Sequence, residues 1–69
     1  MLKINVKIIA GGVTKKSINV PNESTYEDLL RGLKINEETV VVIKDEMPQP
    51  IDCKVSDGEI TVMRVVSGG

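Results

Sequence analysis

The sequence predicts a two-layer α+β domain in which a mixed sheet of four or five strands packs on one helix. Apolar residues alternate with polar ones near both ends of the chain, and a β-branched run lies between them, which indicates strands. One further segment has apolar residues at helical spacing. The 69 residues suffice for a single domain. We expect that domain to cover residues 1–66, with residues 67–69 as a flexible tail.

The first segment is predicted to form a β-hairpin. Every second residue from Leu2 to Ile8 is apolar, which is the period of a half-buried strand. Gly11-Gly12 supplies a turn, and Thr14–Val20 is the predicted returning strand. The alternative for this glycine pair is a phosphate-binding loop, but the longer glycine spacing and the Lys-Ser/Thr of such loops are missing.

A single short helix is predicted to follow the hairpin. Ser24 and Glu27 have the spacing of a capping box, in which each side chain bonds the other residue's backbone N–H. Gly32 weakens helical structure, so we expect the helix to end near Leu33. Four apolar residues fall at spacings that place them on one helix face: Tyr26, Leu29, Leu30 and Leu33.

The second half of the chain is predicted to supply two or three strands. Thr39–Ile43 is a β-branched run that is apolar on both faces, which indicates a strand covered on both sides, and the second cover could be a partner protein. Ile51–Val55 is a candidate short, irregular strand, and Glu59–Val66 is the predicted last strand. Alternate residues of that last strand divide between two faces: Ile60 and Val62 on one, and Thr61, Met63 and Val65 on the other.

The residue types argue against catalysis by this chain. There is no His, which excludes Ser–His and Cys–His nucleophile pairs and His-ligated zinc. Cys53 is the only cysteine, so no thiolate cage forms; we expect a partly buried small side chain, with a sulfur-handling role as the alternative. The neighbouring carboxylates Glu37-Glu38 and Asp45-Glu46 lie in predicted turns and are interpreted as solvated loop edges, against the alternative of a paired acid and base. No catalytic residue and no metal site are therefore predicted.

Charge and hydropathy indicate which partners to expect. The net charge of −1 and the single aromatic residue, Tyr26, argue against nucleic-acid binding and against charge-driven membrane binding. No run approaches the roughly 18 apolar residues of a membrane span, and no signal peptide is recognisable. With one cysteine in the chain, we expect a cytoplasmic protein.

The C-terminal Gly68-Gly69 is the candidate reactive group. An α-carboxylate has a pKa of about 3.3–3.7 and is ionised at pH 7. As an oxyanion it can attack the α-phosphorus of ATP bound to another protein, giving an acyl-adenylate. Glycines have no Cβ, so this backbone can pass a narrow channel, and three extended residues reach about 10 Å. The folded body would then serve for recognition by the partner.

Residues next to this tail are the candidate partner interface. Met63 and Val65 share one face of the last strand, and Val41 and Ile43 are expected to extend that face. An exposed apolar patch of this kind usually marks an interface. Arg64 is a candidate to pair with acidic groups of the partner. The alternatives are that the apolar residues are core and that Arg64 is solvated.

Several segments together resemble a known family. They are Val40–Ile43, Met47-Pro48, Ser56–Glu59, Ile60–Val66 and the ending Gly68-Gly69. Their order resembles the β-grasp, ubiquitin-like sulfur carriers of the ThiS and MoaD type and the small archaeal modifier proteins. The resemblance implies a mixed sheet with the first and last strands parallel at its centre.

The same resemblance implies a function for the tail. Gly69 would be adenylated by an E1-like adenylyltransferase that uses ATP, and this chain would bind no cofactor itself. The activated end would then become a thiocarboxylate for a sulfur-accepting synthase or be joined to a lysine of a target protein. Because the tail must thread alone into a partner, we expect the chain to be a monomer. Two departures leave the partner open: the turn at Asp57-Gly58 is one residue shorter than in many sulfur carriers, and Met63 stands where aromatic residues are common.

The alternative from a different functional class is a non-reactive interaction domain with an incidental tail. Such a domain would bind its partner through Val41, Ile43 and Met63.

Overall fold

The computed structural model describes residues 1–65 as one five-stranded sheet with one α-helix. The elements are β1 (Leu2–Ile9), β2 (Val13–Val20), α1 (Tyr26–Gly32), a 3₁₀ turn (Glu37–Thr39), β3 (Val40–Lys44), β4 (Met47–Gln49) and β5 (Gly58–Arg64). Residues 66–69 lie outside the described part. The predictions for Gly68-Gly69 and for the domain boundary at residue 66 therefore stay predictions. The prediction that the last strand reaches Val66 was wrong, since β5 ends at Arg64 and Val65 lies outside it.

The strand order is β2-β1-β5-β3-β4. The central pair, β1 and β5, is parallel, with Ile4 opposite Gly58 and Ile9 opposite Met63. The other neighbouring pairs are antiparallel. The predicted hairpin, the mixed sheet of the β-grasp fold and its parallel central strands are confirmed.

The core lies between α1 and one face of the sheet. The helix contributes Tyr26, Leu29 and Leu30, each at most 2% exposed, and Leu33 packs at the margin. The sheet contributes alternate residues of its inner strands: Ile4, Val6, Val42, Ile60 and Val62. The predicted apolar stripe of the helix is therefore confirmed, as is the assignment of Ile60 and Val62 to one face.

The capping box lies one residue later than predicted. Thr25 is the N-cap: its hydroxyl accepts from the Asp28 backbone N–H at 3.2 Å, while its own N–H donates to the Asp28 carboxylate at 3.1 Å. The Ser24 hydroxyl instead donates to the Pro21 carbonyl at 2.7 Å. The predicted pair of Ser24 and Glu27 was wrong because a tight turn at Pro21 already uses the serine.

The short strand β4 also lies elsewhere than predicted. Asp45 and Glu46 both have positive φ, which is the pattern of a two-residue hairpin turn, so the residues from Met47 onward pair with β3. For Ile51–Val55, where a short strand or a turn was expected, the structure has turns and one isolated β-bridge, between Lys54 and Thr25. Carbonyls of that segment accept from the start of the helix instead: the Glu27 N–H donates to Ile51 at 2.9 Å and the Tyr26 N–H to Cys53 at 3.1 Å.

Two further predictions change in detail. Cys53 is exposed, not partly buried, since it lies in this irregular segment and not in a strand. In β3, Val42 is buried whereas Val41 and Ile43 are only half-buried, so within the described residues the strand is covered on one face. The carboxylates of Asp45 and Glu46 are exposed in their turn, as predicted.

Candidate functional site

The candidate site is the open face of the sheet, which we define as the face turned away from α1. Side chains alternate along a strand, so the neighbours of the core residues point to this face. In β5, buried Ile60 and Val62 alternate with half-buried Thr61 and Met63. In β1, buried Ile4 and Val6 likewise alternate with exposed positions.

Strand register aligns four apolar residues across this face. Met63 of β5 is paired with Ile9 of β1 on one side and with Val41 of β3 on the other. Ile9 is in turn paired with Val13 of β2, which is 60% exposed. We call Val13, Ile9, Met63 and Val41 the apolar row. It crosses the sheet next to the end of β5, from which the chain continues toward residues 66–69.

The next row of the open face is partly basic. Thr61 of β5 is paired with Ile43 on β3 and with Lys7 on β1. Lys7 is in turn paired with Lys15 on β2. Ile43 therefore belongs to the open face but lies one row away from Val41 and Met63.

The five predicted interface residues are only partly brought together. Val41 and Met63 are direct cross-strand partners, and Ile43 is their diagonal neighbour. Val65 is 59% exposed, and its backbone N–H donates to the Thr39 carbonyl at 2.9 Å, which ties the end of β5 to the 3₁₀ turn. Arg64 is paired with Val40 and alternates with Met63, so it belongs to the helix side of the sheet. Its predicted pairing with acidic groups of a partner stays a prediction.

Sequence reasoning missed Ile9 and Val13. A signal was present, because Ile8-Ile9 breaks the apolar–polar alternation and puts an apolar residue on the solvent face of β1. That residue matters only in combination with Met63, and the two are brought together by the parallel pairing of strands more than 50 residues apart in sequence.

The open face offers contact area and no reactive constellation. Among residues 1–65, no three His, Cys, Asp or Glu side chains are grouped to hold a metal ion. In the same residues no helix has the length and apolar character needed to cross a membrane. What the face supplies chemically is van der Waals contact along the apolar row and positive charge beside it.

Comparison with known proteins shows which family this chain matches. The family model of small archaeal modifier protein 2 matches residues 2–66. The small archaeal modifier protein 2 of Haloferax volcanii is 30% identical over 66 residues, which are 96% of this chain and all of that protein. An uncharacterised protein of Archaeoglobus fulgidus is 42% identical over 69 residues, covering 99% of this chain and all of that protein.

Solved structures support the fold. A ubiquitin of Caldiarchaeum subterraneum superposes with a TM-score of 0.73 at 17% identity, covering 99% of this chain and 98% of that one. SAMP1 of Haloferax volcanii gives a TM-score of 0.71 at 17% identity, covering 97% and 99%. The family match spans nearly the whole chain, and the fold agrees with it. The chain therefore belongs to the small archaeal modifier protein 2 family of ubiquitin-like proteins.

Proposed function

We propose that this chain is a ubiquitin-like modifier whose C-terminal Gly69 carboxylate is adenylated by an E1-like adenylyltransferase. A carboxylate oxygen attacks the α-phosphorus of ATP held by the partner, and pyrophosphate leaves. A lysine amine of a target protein, or a sulfur nucleophile, then takes the acyl carbon, and AMP leaves. This chain supplies the carboxylate and a docking surface; it binds no cofactor and performs no turnover alone.

The observation that carries the proposal is the position of the apolar row at the end of β5. β5 is a central strand held by β1 and β3, so the residue from which the tail continues is fixed in a rigid sheet. Met63 is paired with two apolar residues, Ile9 and Val41, on the face that α1 does not cover. A partner seated on this row meets the strand end from which the tail departs, which would position the carboxylate for reaction.

Conjugation to lysine is the first expectation for the activated end, because a 30% identical relative is named as a modifier. Thiocarboxylate formation starts with the same adenylate and is the second. Mass spectrometry separates the two products. A thiocarboxylate changes the intact mass by the replacement of one oxygen with sulfur. A conjugate yields a branched peptide, and since Arg64 is the last tryptic site, the remnant on the target lysine is Val-Val-Ser-Gly-Gly.

The test is ATP–pyrophosphate exchange by the activating enzyme with this chain as substrate. The wild-type chain is expected to support exchange, and deletion of Gly68-Gly69 is expected to abolish it. Loss of the apolar contacts in a Val41→Ala/Met63→Ala variant should raise KM about tenfold, as expected when well-packed interface anchors are truncated. The matched control is Met47→Ala, since Met47 is a methionine 62% exposed on β4, away from the row.

Two results would count against the proposal. Exchange that persists without Gly68-Gly69 would exclude the terminal carboxylate as the reacting group. Tight binding of the activating enzyme with no exchange would favour a non-reactive interaction domain.

A further inference from the structure

We infer that the β1–β2 hairpin is a basic docking surface for a carboxylate-bearing patch on the protein that receives the tail. This rests on the proposed function and specifies the chemistry of the partner next to the apolar row. The partner's surface would have an apolar centre, seated on Met63 and its neighbours, and acidic side chains on the side that faces β1 and β2.

The first observation is a segregation of charge along the chain. Residues 1–22 contain four lysines and no acidic residue. Residues 23–69 contain all ten acidic residues against five cations. The hairpin thus carries a charge of +4 and the remainder −5, although the net charge of the chain is only −1.

The strand order places the lysines of the hairpin together on one side of the sheet. β2 and β1 form one side of the sheet, while the acidic residues lie in the helix, the turns and the strands that follow. A groove of about 370 Å³ opens among the hairpin's polar side chains. Its lining includes Lys7, Lys15, Lys16 and Ser17, with Glu59 as its one acidic residue.

The second observation is that two lysines face each other. Lys7 and Lys15 are directly paired across β1 and β2, and both are exposed. Like charges in this position destabilise a sheet. Neither lysine belongs to the salt bridges found among residues 1–65, which join Arg31 to Glu27 and Lys54 to Glu23. No salt bridge in that part of the chain therefore offsets the repulsion between Lys7 and Lys15.

Protection of the sheet edge explains only part of the pattern. Lysines on an edge strand discourage association with other strands, and Lys15 and Lys16 are on the edge strand β2. Lys7 is on β1, which has β2 on one side and β5 on the other. Because Lys7 is on an inner strand, its charge does not protect the edge of the sheet. Binding of an acidic partner would explain a lysine at this position.

The location of Lys7 points to the partner of the apolar row. Lys7 is two residues before Ile9 on the same face of β1, and Lys15 is two residues after Val13 on the same face of β2. A protein that covers the apolar row would place its rim over these lysines. Rim charges of opposite sign raise the association rate and fix the orientation of docking.

An acidic protein fits these residues better than a nucleic acid. Among residues 1–65 the open face carries no aromatic side chain to stack on bases, because the only aromatic residue, Tyr26, is buried in the core. A long polyanion would also extend over the acidic remainder of the molecule. A compact patch of carboxylates can engage the hairpin without that repulsion.

The experiment measures the KM of the chain in ATP–pyrophosphate exchange for two double variants of equal charge. Lys7→Glu/Lys15→Glu reverses the facing pair. The matched control, Lys34→Glu/Lys54→Glu, makes the same change of net charge outside the hairpin. We expect the hairpin variant to raise KM at least about tenfold at low salt with kcat unchanged, and the control to change KM less than about threefold. Salt should raise the wild-type KM, because it screens attraction, and lower the KM of the hairpin variant, because it screens the repulsion between carboxylates.

A second variant separates binding from folding. Lys7→Gln removes the like-charge pair without creating a repulsive carboxylate. We expect it to melt at the same or a higher temperature than the wild type, while its KM rises several-fold. A lower melting temperature together with an unchanged KM would assign Lys7 a structural role and overturn the inference.

The remaining outcomes are also decisive. An unchanged KM for the hairpin variant, with normal exchange, overturns the inference and leaves the proposed function standing. Absence of exchange with the wild-type chain overturns the proposed function and this inference with it. Binding of a single-stranded or duplex RNA oligonucleotide at 150 mM salt, on the order of physiological ionic strength, that the hairpin variant loses would assign the surface to nucleic acid instead.

Discussion

The two faces of this sheet are made from alternate residues of the same strands, yet they do different work. On the helix side, Ile60 and Val62 are 1% and 0% exposed. On the open side, their neighbours Thr61 and Met63 keep part of their surface in solvent. Along β5, a core residue and a residue available for contact with a partner are therefore immediate neighbours in sequence.

This difference shows where stability and recognition each reside. A domain of this size buries only about 60% of its unfolded surface, so it depends on nearly every residue of its one core. Within residues 1–65 no member of the apolar row belongs to the core cluster or to the apolar residues packed against it. The apolar row on this face therefore contributes little to the stability of the fold. Exposed apolar residues that lie together are suited to contact with a partner.

The largest expected effect tests the difference between the two faces by truncating one residue on each face of β5. Ile60→Ala removes a buried side chain and is expected to cost about 2–5 kcal/mol of unfolding free energy. That is most of the stability that a domain this small has, so the variant should be largely unfolded at 37 °C. Urea unfolding followed by far-UV circular dichroism measures the loss.

The matched variant on the open face is Met63→Ala. It loses only cross-strand contacts with Ile9 and Val41, worth about 0.2–1 kcal/mol. Equal losses from Ile60→Ala and Met63→Ala would mean that the open face belongs to the core, and the proposed docking row would then lose its basis.

A smaller effect is expected where β5 begins, because the start of the strand sets which residues reach each face. Gly58 has φ of +127°, a region nearly restricted to glycine, and Gly58→Ala should cost about 1–3 kcal/mol. The Lys44 ammonium holds the preceding turn by donating to the Ser56 hydroxyl and, at 3.1 Å, to the Asp57 carbonyl. The strain therefore has little room to relax.

Gly32→Ala is the control for this substitution. Gly32 is the last residue of α1, and a Cβ built there meets nothing within 4 Å. Alanine should raise stability by about 0.4–1 kcal/mol, because it restricts the unfolded chain. Chemical denaturation of both variants checks the contrast. A Gly58→Ala protein as stable as the wild type would show that the start of β5 tolerates another backbone geometry.

The features that sequence predicted well are those that depend on local periodicity. The division of Ile60 and Val62 from Thr61 and Met63 follows from the two-residue repeat of a strand, and the structure confirms it. The helix stripe follows in the same way from the 3.6-residue repeat. The assignment of Thr61 and Met63 to the open face could therefore be made from the sequence alone.

Features that depend on competition between nearby groups, or on distant pairing, were less accessible. The serine at position 24 was a good cap candidate, but the Pro21 carbonyl takes its hydroxyl and Thr25 caps the helix. The apolar row requires the register of β1 against β5. Nothing in either segment alone specifies that register, so Ile9 was not recognised.

The smallest expected effect comes from ionisation of the Tyr26 hydroxyl, which places a negative charge on the helix side of the sheet and none on the open face. Burial raises the pKa of the Tyr26 hydroxyl above its usual value, and the negative charges of Cys53 and Asp45 add to the shift. The folded state therefore holds the phenol proton more tightly than the unfolded state. This contribution to stability is complete below a pH of about 10 and is lost as the pH rises through the folded-state pKa.

Tyr26→Phe isolates this effect because it keeps the ring in the core and removes the titrating group. Unfolding free energies from circular dichroism should fall more steeply above pH 10 for the wild type than for Tyr26→Phe. At lower pH the difference between the two proteins should be constant. If their profiles stay parallel at high pH, burial on the helix side does not disfavour the phenolate. The contrast between the faces would then rest on packing alone.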